Sequence, residues 1–399
     1  MLIGIVGKAN VGKSTFFKAI TLADTEIANF PFATIKPHHG IGYVKISCVD
    51  KDFGKQCKPR EGYCKNGFRF VPVELLDVAG LVPGAHQGKG MGNQFLDDLR
   101  QADVLIHVID AAGTTNEMGE PRERGSYDPA NDIKFLETEL DMWYLQILRK
   151  SWEKFARMAH MEHVPAHRAI ARQFGGLKVS EDMVRSIIAK LQLDPENADT
   201  WTEVQLAGFA VALRKASKPM IIAANKADIP IARENVEKLK KQFPEYTIIA
   251  CSADSELALK EAAKAKLIDY TPGENSFTII EEQKLKDVQK KALEFIKISV
   301  LNNLGSTGCQ QVLDYSVFNI LGYITIFPGG VNKLEDQHGN PLPDCFLMPP
   351  KSTALDFAYK IHTDLGKNFI KALDVKSKKA VGKEHLLQNR DVIEIVTSK

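Results

Sequence analysis

The stretch Gly7-Lys8-Ala9-Asn10-Val11-Gly12-Lys13-Ser14-Thr15 constrains this chain more than any other, because it has the form G-x-x-x-x-G-K-[S/T] and follows the apolar run Leu2 to Val6. Such a run before a glycine reads as a buried strand, and Phe16, Phe17 and Ile20 beyond it have helical spacing. A strand, a glycine loop and a helix in that order turn backbone N–H groups toward one point, where they and the helix N-terminus hold phosphate oxygens. Lys13 adds a point charge for the terminal phosphates, and Ser14 offers a hydroxyl to Mg²⁺. The premise is therefore a phosphate-bearing nucleotide held by residues 7–15.

A chain of 399 residues is too long for one ordinary core, so two or three domains are expected. With 44% hydrophobic and 26% charged residues it reads as soluble and globular, and a net charge of +2 means that composition does not demand nucleic acid as a partner. No apolar run approaches the ~20 residues of a membrane span, and a loop beginning at Gly7 leaves no room for a cleaved signal peptide, so no membrane contact and a cytoplasmic location are expected. Six cysteines in this length fit free thiols in a reducing compartment. Three of them, Cys48, Cys57 and Cys64, lie close together in a loop with Pro59, Gly62 and Gly67. With His38 or His39 as a fourth ligand they could hold zinc. No spacing is C-x₂-C, however, and a plain hairpin insertion is the preferred reading.

The order of elements points to an α/β fold, a doubly wound and mainly parallel sheet covered on both faces. After the first helix, Asn29 to Pro37 reads as extended and exposed because prolines interrupt its apolar pattern. Gly40 to Val49 and Phe68 to Asp77 read as strands, Asn93 to Gln101 as a helix, and Val104 to Ile109 as a fully apolar strand. The next strand of that kind is Pro219 to Ala224, far beyond what one crossover helix needs. Between them Ile133, Leu136, Leu140, Trp143 and Ile147 are spaced three and four apart, the seam of a helix packed lengthwise on another. The expected domains are a first part over residues 1–110, a helical insertion over 111–217, a second part over 218–315 and an α+β module over 316–399. A long helix is expected from Glu281 to Leu301, and a strand-like run from Val317 to Phe327. Residues 351–399 hold a mild excess of basic side chains, which suits a polyanion as well as plain solvent.

Further elements complete a nucleotide site. Asp77-Val78-Ala79-Gly80 has the form D-x-x-G at a strand end, where a doubly wound sheet meets its ligand; Asp77 can hold Mg²⁺ through a water, and the N–H of Gly80 can sense a γ-phosphate. Asn225-Lys226-Ala227-Asp228 has the form N-K-x-D after another apolar strand. The Asp228 carboxylate can accept from both N–H groups on one edge of guanine, a pairing that adenine cannot make. The backbone of Cys251-Ser252-Ala253, after the next strand, can meet the base's O6.

Residues Gly7 to Ser14, Thr34, Asp77 to Gly80, Asn225 to Asp228 and Ser252-Ala253 resemble the five G motifs of translation-factor-related P-loop GTPases. The runs Asn29 to Thr34 and Asp77 to Asn93 resemble the Obg family, specifically its YchF-like branch. The resemblance covers nearly the whole chain. It implies a helical insertion before the N-K-x-D strand, a C-terminal TGS domain of β-grasp type, and Thr34 as the switch residue that closes on Mg²⁺ with Ser14 and Asp77. It also implies GTP and GDP as ligands, and a ribosome or another RNA-containing assembly as partner. Some members carry Glu at the last position of N-K-x-D and favour ATP, whereas Asp228 here points to GTP. Ras-like enzymes orient the attacking water with a Gln after D-x-x-G, and here that position is Leu81, which cannot do so. His86, a partner acting in trans, or a K⁺ ion held with the help of Asn10 are the open sources of the missing group. Slow turnover is expected, with Lys13, Asn10, Thr34 and Gly80 as the catalytic set. A relaxed-specificity ATPase and an RNA-binding adaptor with a structural nucleotide are the alternatives.

Overall fold

The computed structural model describes residues 1–22, 38–78, 92–150, 152 and 165–398. Its first sheet contains β1 (Leu2–Val6), β2 (His39–Ser47), β3 (Tyr63–Lys65), β4 (Phe68–Asp77), β5 (Val104–Asp110), β6 (Met220–Asn225) and β7 (Ile248–Ala250). The strand order is β2-β4-β1-β5-β6-β7, with β3 paired to β4. From β4 to β7 every pairing is parallel, and β2 and β3 run antiparallel to β4. β1, β5 and β6 are buried along their whole length, which is why their sequences are apolar runs rather than alternating ones. Parallel pairing brings their C-terminal ends to one rim: Asp77 lies opposite Ile5, and Asn225 opposite Asp110.

One face of this sheet shares a continuous core with the helices Ala130–Arg149, Ala166–Gln173, Glu181–Lys190 and Glu203–Ser217. The spacing read from Ile133 to Trp143 is the buried face of the first of these, and Phe209, Ala210 and Leu213 cover it from the last; Ile147 is only partly buried. Arg214, 1% exposed, fixes the angle between the two helices by donating to Asp141 (Nε to Oδ1 2.8 Å) and to the hydroxyl of Tyr246 (3.1 Å). The opposite face carries the helix Lys13–Thr21, through Phe16 and Ile20, and the helix Cys309–Tyr315, through Val312 and Leu313.

A hairpin of β8 (Ile268–Tyr270) and β9 (Phe277–Ile279) precedes the C-terminal sheet. That sheet has the order β11-β10-β14-β12-β13, with β10 (Ile324–Pro328), β11 (Phe346–Met348), β12 (Phe369–Asp374), β13 (Lys379–Val381) and β14 (Asp391–Thr397). The helix Ala354–Ile361 buries Ala354, Phe357 and Ala358 against it, and a reciprocal Thr353 and Asp356 cap starts that helix. One helix on a small mixed sheet is the β-grasp arrangement.

Two expectations change. The run Val317 to Phe327 is not one strand. Its first part continues the helix before it as a wide turn, Ser316–Ile320, and the strand begins only at Ile324. β-branched residues suggested extension, but the Ser316 hydroxyl donates to Val312 O (2.7 Å), and Val317 is needed in the core under the sheet. The expected helix Glu281 to Leu301 starts later, at Asp287, because Leu285 turns inward as a buried anchor before it.

Candidate nucleotide-binding site

β1 delivers the glycine loop to the rim, and two of its glycines are required by geometry. Gly12 has φ +90°, and a Cβ there would stand 2.3 Å from Asn225 Nδ2; one at Gly7 would stand 2.5 Å from Val108 O. The helix from Lys13 starts at once, so its unpaired N–H groups face the rim. Lys13 Nζ pairs with the Asp77 carboxylate and donates to Val78 O (2.8 Å). The ammonium of the glycine-loop lysine and the carboxylate that closes β4 thus occupy one place. Ser14 is exposed beside them.

At the other end of the rim, Asn225 is the connector. Its Nδ2 donates to Val11 O (2.9 Å), and its Oδ1 accepts from Ala253 N (3.0 Å), so one amide ties the glycine loop to the segment after β7. Asp228 faces inward because Ser252 Oγ donates to its Oδ1 (2.8 Å), and Ser252 also meets Ser255 Oγ (2.8 Å). Lys226, at φ +64°, extends its stem over the loop and donates to Asn10 O (3.1 Å), Asp110 Oδ2 (3.0 Å) and Thr114 Oγ1 (3.0 Å). Ala9 and Asn10 lie at the surface of the loop, and Asn10 Nδ2 donates to Gly119 O (2.9 Å).

Lys8 takes a different direction. Only 5% exposed, its ammonium donates to Asp132 Oδ1 (2.8 Å) and Thr115 O (3.0 Å), away from the phosphate cradle, and stands over the Tyr127 ring. Its side chain thus ties the loop to the helical region. Desolvation by burial, with the Lys8 charge adding to it, holds His107 down at about 3, so this residue of β5 is neutral in the folded chain. Thr34, Ala79, Gly80, Leu81 and His86 lie outside the described residues.

Asp110, Thr114 and Thr115 escaped the sequence reading. Asp110 is 1% exposed, and its Oδ2 accepts from Thr114 Oγ1 (2.6 Å) and Thr115 Oγ1 (3.0 Å) as well as from Lys226. It is the orienter of the lysine in N-K-x-D. The available signal was its position: an acidic residue that closes an apolar strand of the parallel sheet, as Asp77 closes β4.

A glycine loop, an acidic strand end and an Asn-Lys-Ala-Asp segment on one rim of a parallel sheet define the P-loop GTPase class of nucleotide-binding proteins. Residues 2–139 match the family described as 50S ribosome-binding GTPase, residues 223–330 the G4 motif-containing domain of the YGR210-like Obg-like GTPases, and residues 332–397 the TGS domain. The chain belongs to the YchF-like branch of the Obg family. It is 48% identical to a GTP-binding protein of Methanocaldococcus jannaschii, over 100% of this chain and 99% of that one. It is 27% identical to the ribosome-binding ATPase YchF of Bacillus subtilis, over 98% of this chain and 97% of that one. Among solved structures it resembles a GTP-binding protein of Pyrococcus horikoshii, with a TM-score of 0.79 and 38% identity over 100% of both chains.

Proposed function

We propose that this chain binds GTP with Mg²⁺, hydrolyses it slowly to GDP and phosphate, and acts as a switch on ribosomes or another RNA-containing assembly in the cytoplasm. The observation that carries the base choice is the Asp228 carboxylate, held by Ser252 beside the Asn225 bridge from Val11 to Ala253. Adenine lacks the paired donors that this carboxylate wants, and leaving it unpaired in a dry pocket rejects ATP. At the phosphate end, Lys13 shifts from Asp77 toward phosphate oxygens when nucleotide binds, which frees the carboxylate. The residues present fit a hard cation there, because Asp77 already carries a positive partner and Ser14 adds an oxygen beside it. Bound Mg²⁺ would neutralise charge on the β- and γ-phosphates. The residues of this chain supply positioning and charge and form no covalent intermediate. Asn10 keeps an amide oxygen beyond its bond to Gly119 O, which suits a K⁺ ion at the phosphates. Faster turnover in K⁺ than in Na⁺ is expected, and equal rates exclude that role.

A second reading is favoured by the YchF relatives, which are named ribosome-binding ATPases. Displacement of labelled GDP separates the two: GTP displacing it far below the concentration of ATP supports the guanine reading, and equal displacement supports relaxed base choice. Co-sedimentation with ribosomes under GDP and under a non-hydrolysable GTP analogue tests the switch. Identical association in both states favours an adaptor with a structural nucleotide.

A further inference from the structure

The stretch between β2 and β4 brings together side chains that the nucleotide site does not use. Cys48 follows the end of β2, Asp50 opens the short turn Asp50–Phe53, Cys57 lies on the return, and Cys64 sits in β3. Their ligand atoms, three sulfurs and a carboxylate oxygen, all lie within 4.8 Å of one another. Cys48 Sγ is 3.5 Å from Cys57 Sγ, and Cys64 Sγ is 3.9 Å from Asp50 Oδ2. A tetrahedral ion with metal–sulfur bonds near 2.3 Å needs sulfurs roughly 3.8 Å apart, whereas a disulfide needs about 2.05 Å. The spacing is that of a coordination shell, and the thiols are free.

Burial and charge agree with the distances. Cys48, Asp50 and Cys57 are 3%, 2% and 5% exposed and Cys64 is half-buried, so the group is largely closed to solvent, as a structural site is. Lys51 N (2.8 Å) and Cys57 N (3.2 Å) donate to the Asp50 carboxylate and hold it in place, and a cation sharing the place would offset the rest of its desolvation cost. Beside it, Arg69 is directly opposite Cys64 in the β3–β4 pairing, on the same face, and is 1% exposed; its Nε has no hydrogen-bond partner among the described residues. A divalent ion with three thiolates and a carboxylate keeps net negative charge, which suits that guanidinium. Of the two histidines considered as a fourth ligand, His39 is engaged by Glu74 (Nδ1 to Oε1 2.8 Å), and neither belongs to the group.

We propose that Cys48, Asp50, Cys57 and Cys64 bind one Zn²⁺ ion. The soft thiolates select zinc over the hard cations of the nucleotide site. The ion joins the end of β2, the turn and β3, and the same stretch grips the C-terminal sheet. Lys58 N donates to Pro341 O (2.9 Å), Arg60 N to Pro343 O (2.9 Å), and Asp52 pairs with Lys376 (3.0 Å) and Arg390 (3.1 Å). Zinc here therefore stiffens the platform on which the β-grasp module sits.

The test uses the full chain, purified under reducing conditions without chelator. Elemental analysis is expected to give about one zinc per chain. Co²⁺ added to metal-stripped, reduced protein is expected to produce the intense visible bands of tetrahedral thiolate coordination, and Zn²⁺ to displace them. The Cys57→Ser and Cys64→Ser variants are expected to lose both signals, and Cys345→Ser, outside the group, to keep them. Absence of Co²⁺ bands in the wild-type chain overturns the proposal whatever the variants do. So does a Cys48 to Cys57 disulfide in that protein, or stoichiometric occupancy by a metal other than zinc.

Discussion

The nucleotide rim and the seam that carries the C-terminal module are both built between segments far apart in sequence, but from different materials. At the rim, side chains of a few fixed types make the joins: Asn225 links Val11 to Ala253, Lys226 reaches Asn10 and Asp110, and Ser252 holds Asp228. At the seam, backbone carbonyls accept most of the bonds. Arg69 donates to Leu342 O (3.2 Å) and Pro343 O (2.7 Å), and Arg390 Nε to Ser47 O (3.1 Å). Any residue can present a carbonyl, whereas an amide that donates at one end and accepts at the other must be Asn or Gln. A recognisable motif therefore marks the rim, and nothing of the kind marks the seam.

The contrast predicts that changes in the two regions separate cleanly. Replacing Asp228 by Asn has the largest expected effect, roughly a 100-fold loss of GDP affinity in a titration, because a charged acceptor for two donors is lost. Affinity for xanthosine diphosphate rises in the same variant. Unchanged guanine affinity would falsify the placement of the base pocket. Arg69→Ala comes next: the Leu342 carbonyl loses the guanidinium donor, Pro343 O keeps only Arg60 N, and a large side chain leaves the core, at a cost of about 2–3 kcal/mol in denaturant unfolding. GDP affinity is expected to stay within about twofold, since Arg69 lies at the start of β4 and Asp77 at its far end. A parallel loss of affinity would mean that seam and rim are coupled.

A smaller effect lies under the rim. His107 is buried and neutral, with its titration held at about 3 against an ordinary 6.5. The unfolded chain takes up a proton below pH 6.5 and the folded chain does not, so this residue's contribution to stability is present above that pH. It is lost as pH falls toward 3, with a slope of about 1.4 kcal/mol per pH unit. His107→Leu removes one proton from the acid dependence of unfolding; an unchanged slope contradicts the assignment. Least of all, Asp52→Asn breaks exposed ion pairs to Lys376 and Arg390 and is expected to cost about 0.5 kcal/mol or less, vanishing in high salt.

Much of the fold was legible because burial on both faces leaves a mark. Apart from His107 and the closing residues Asp110 and Asn225, strands β1, β5 and β6 are apolar, and the spacing from Ile133 to Trp143 announced a helix with a packed face. The reading failed where tertiary packing overrode local preference. Val317 has a strand-former's shape, yet sits in a helical turn because the core beneath the sheet needed filling there. Lys8 lies within the glycine-loop motif, but Asp132 and Tyr127 draw its side chain away, and that partnership spans more than a hundred residues.

By itself, the sequence determined the local chemistry at the strand ends: the glycine loop of Gly7 to Thr15, an acidic strand end at Asp77 and the Asn-Lys-Ala-Asp carboxylate at Asp228. These are local, because each needs particular atoms on a short piece of backbone. Only the tertiary structure decided which groups share a space. It set Asp110 under Lys226, and it gathered Cys48, Asp50, Cys57 and Cys64 into one buried cluster. Convergence of that kind depends on where a turn closes and which strand pairs beside it, and spacing along the chain does not encode distance across it.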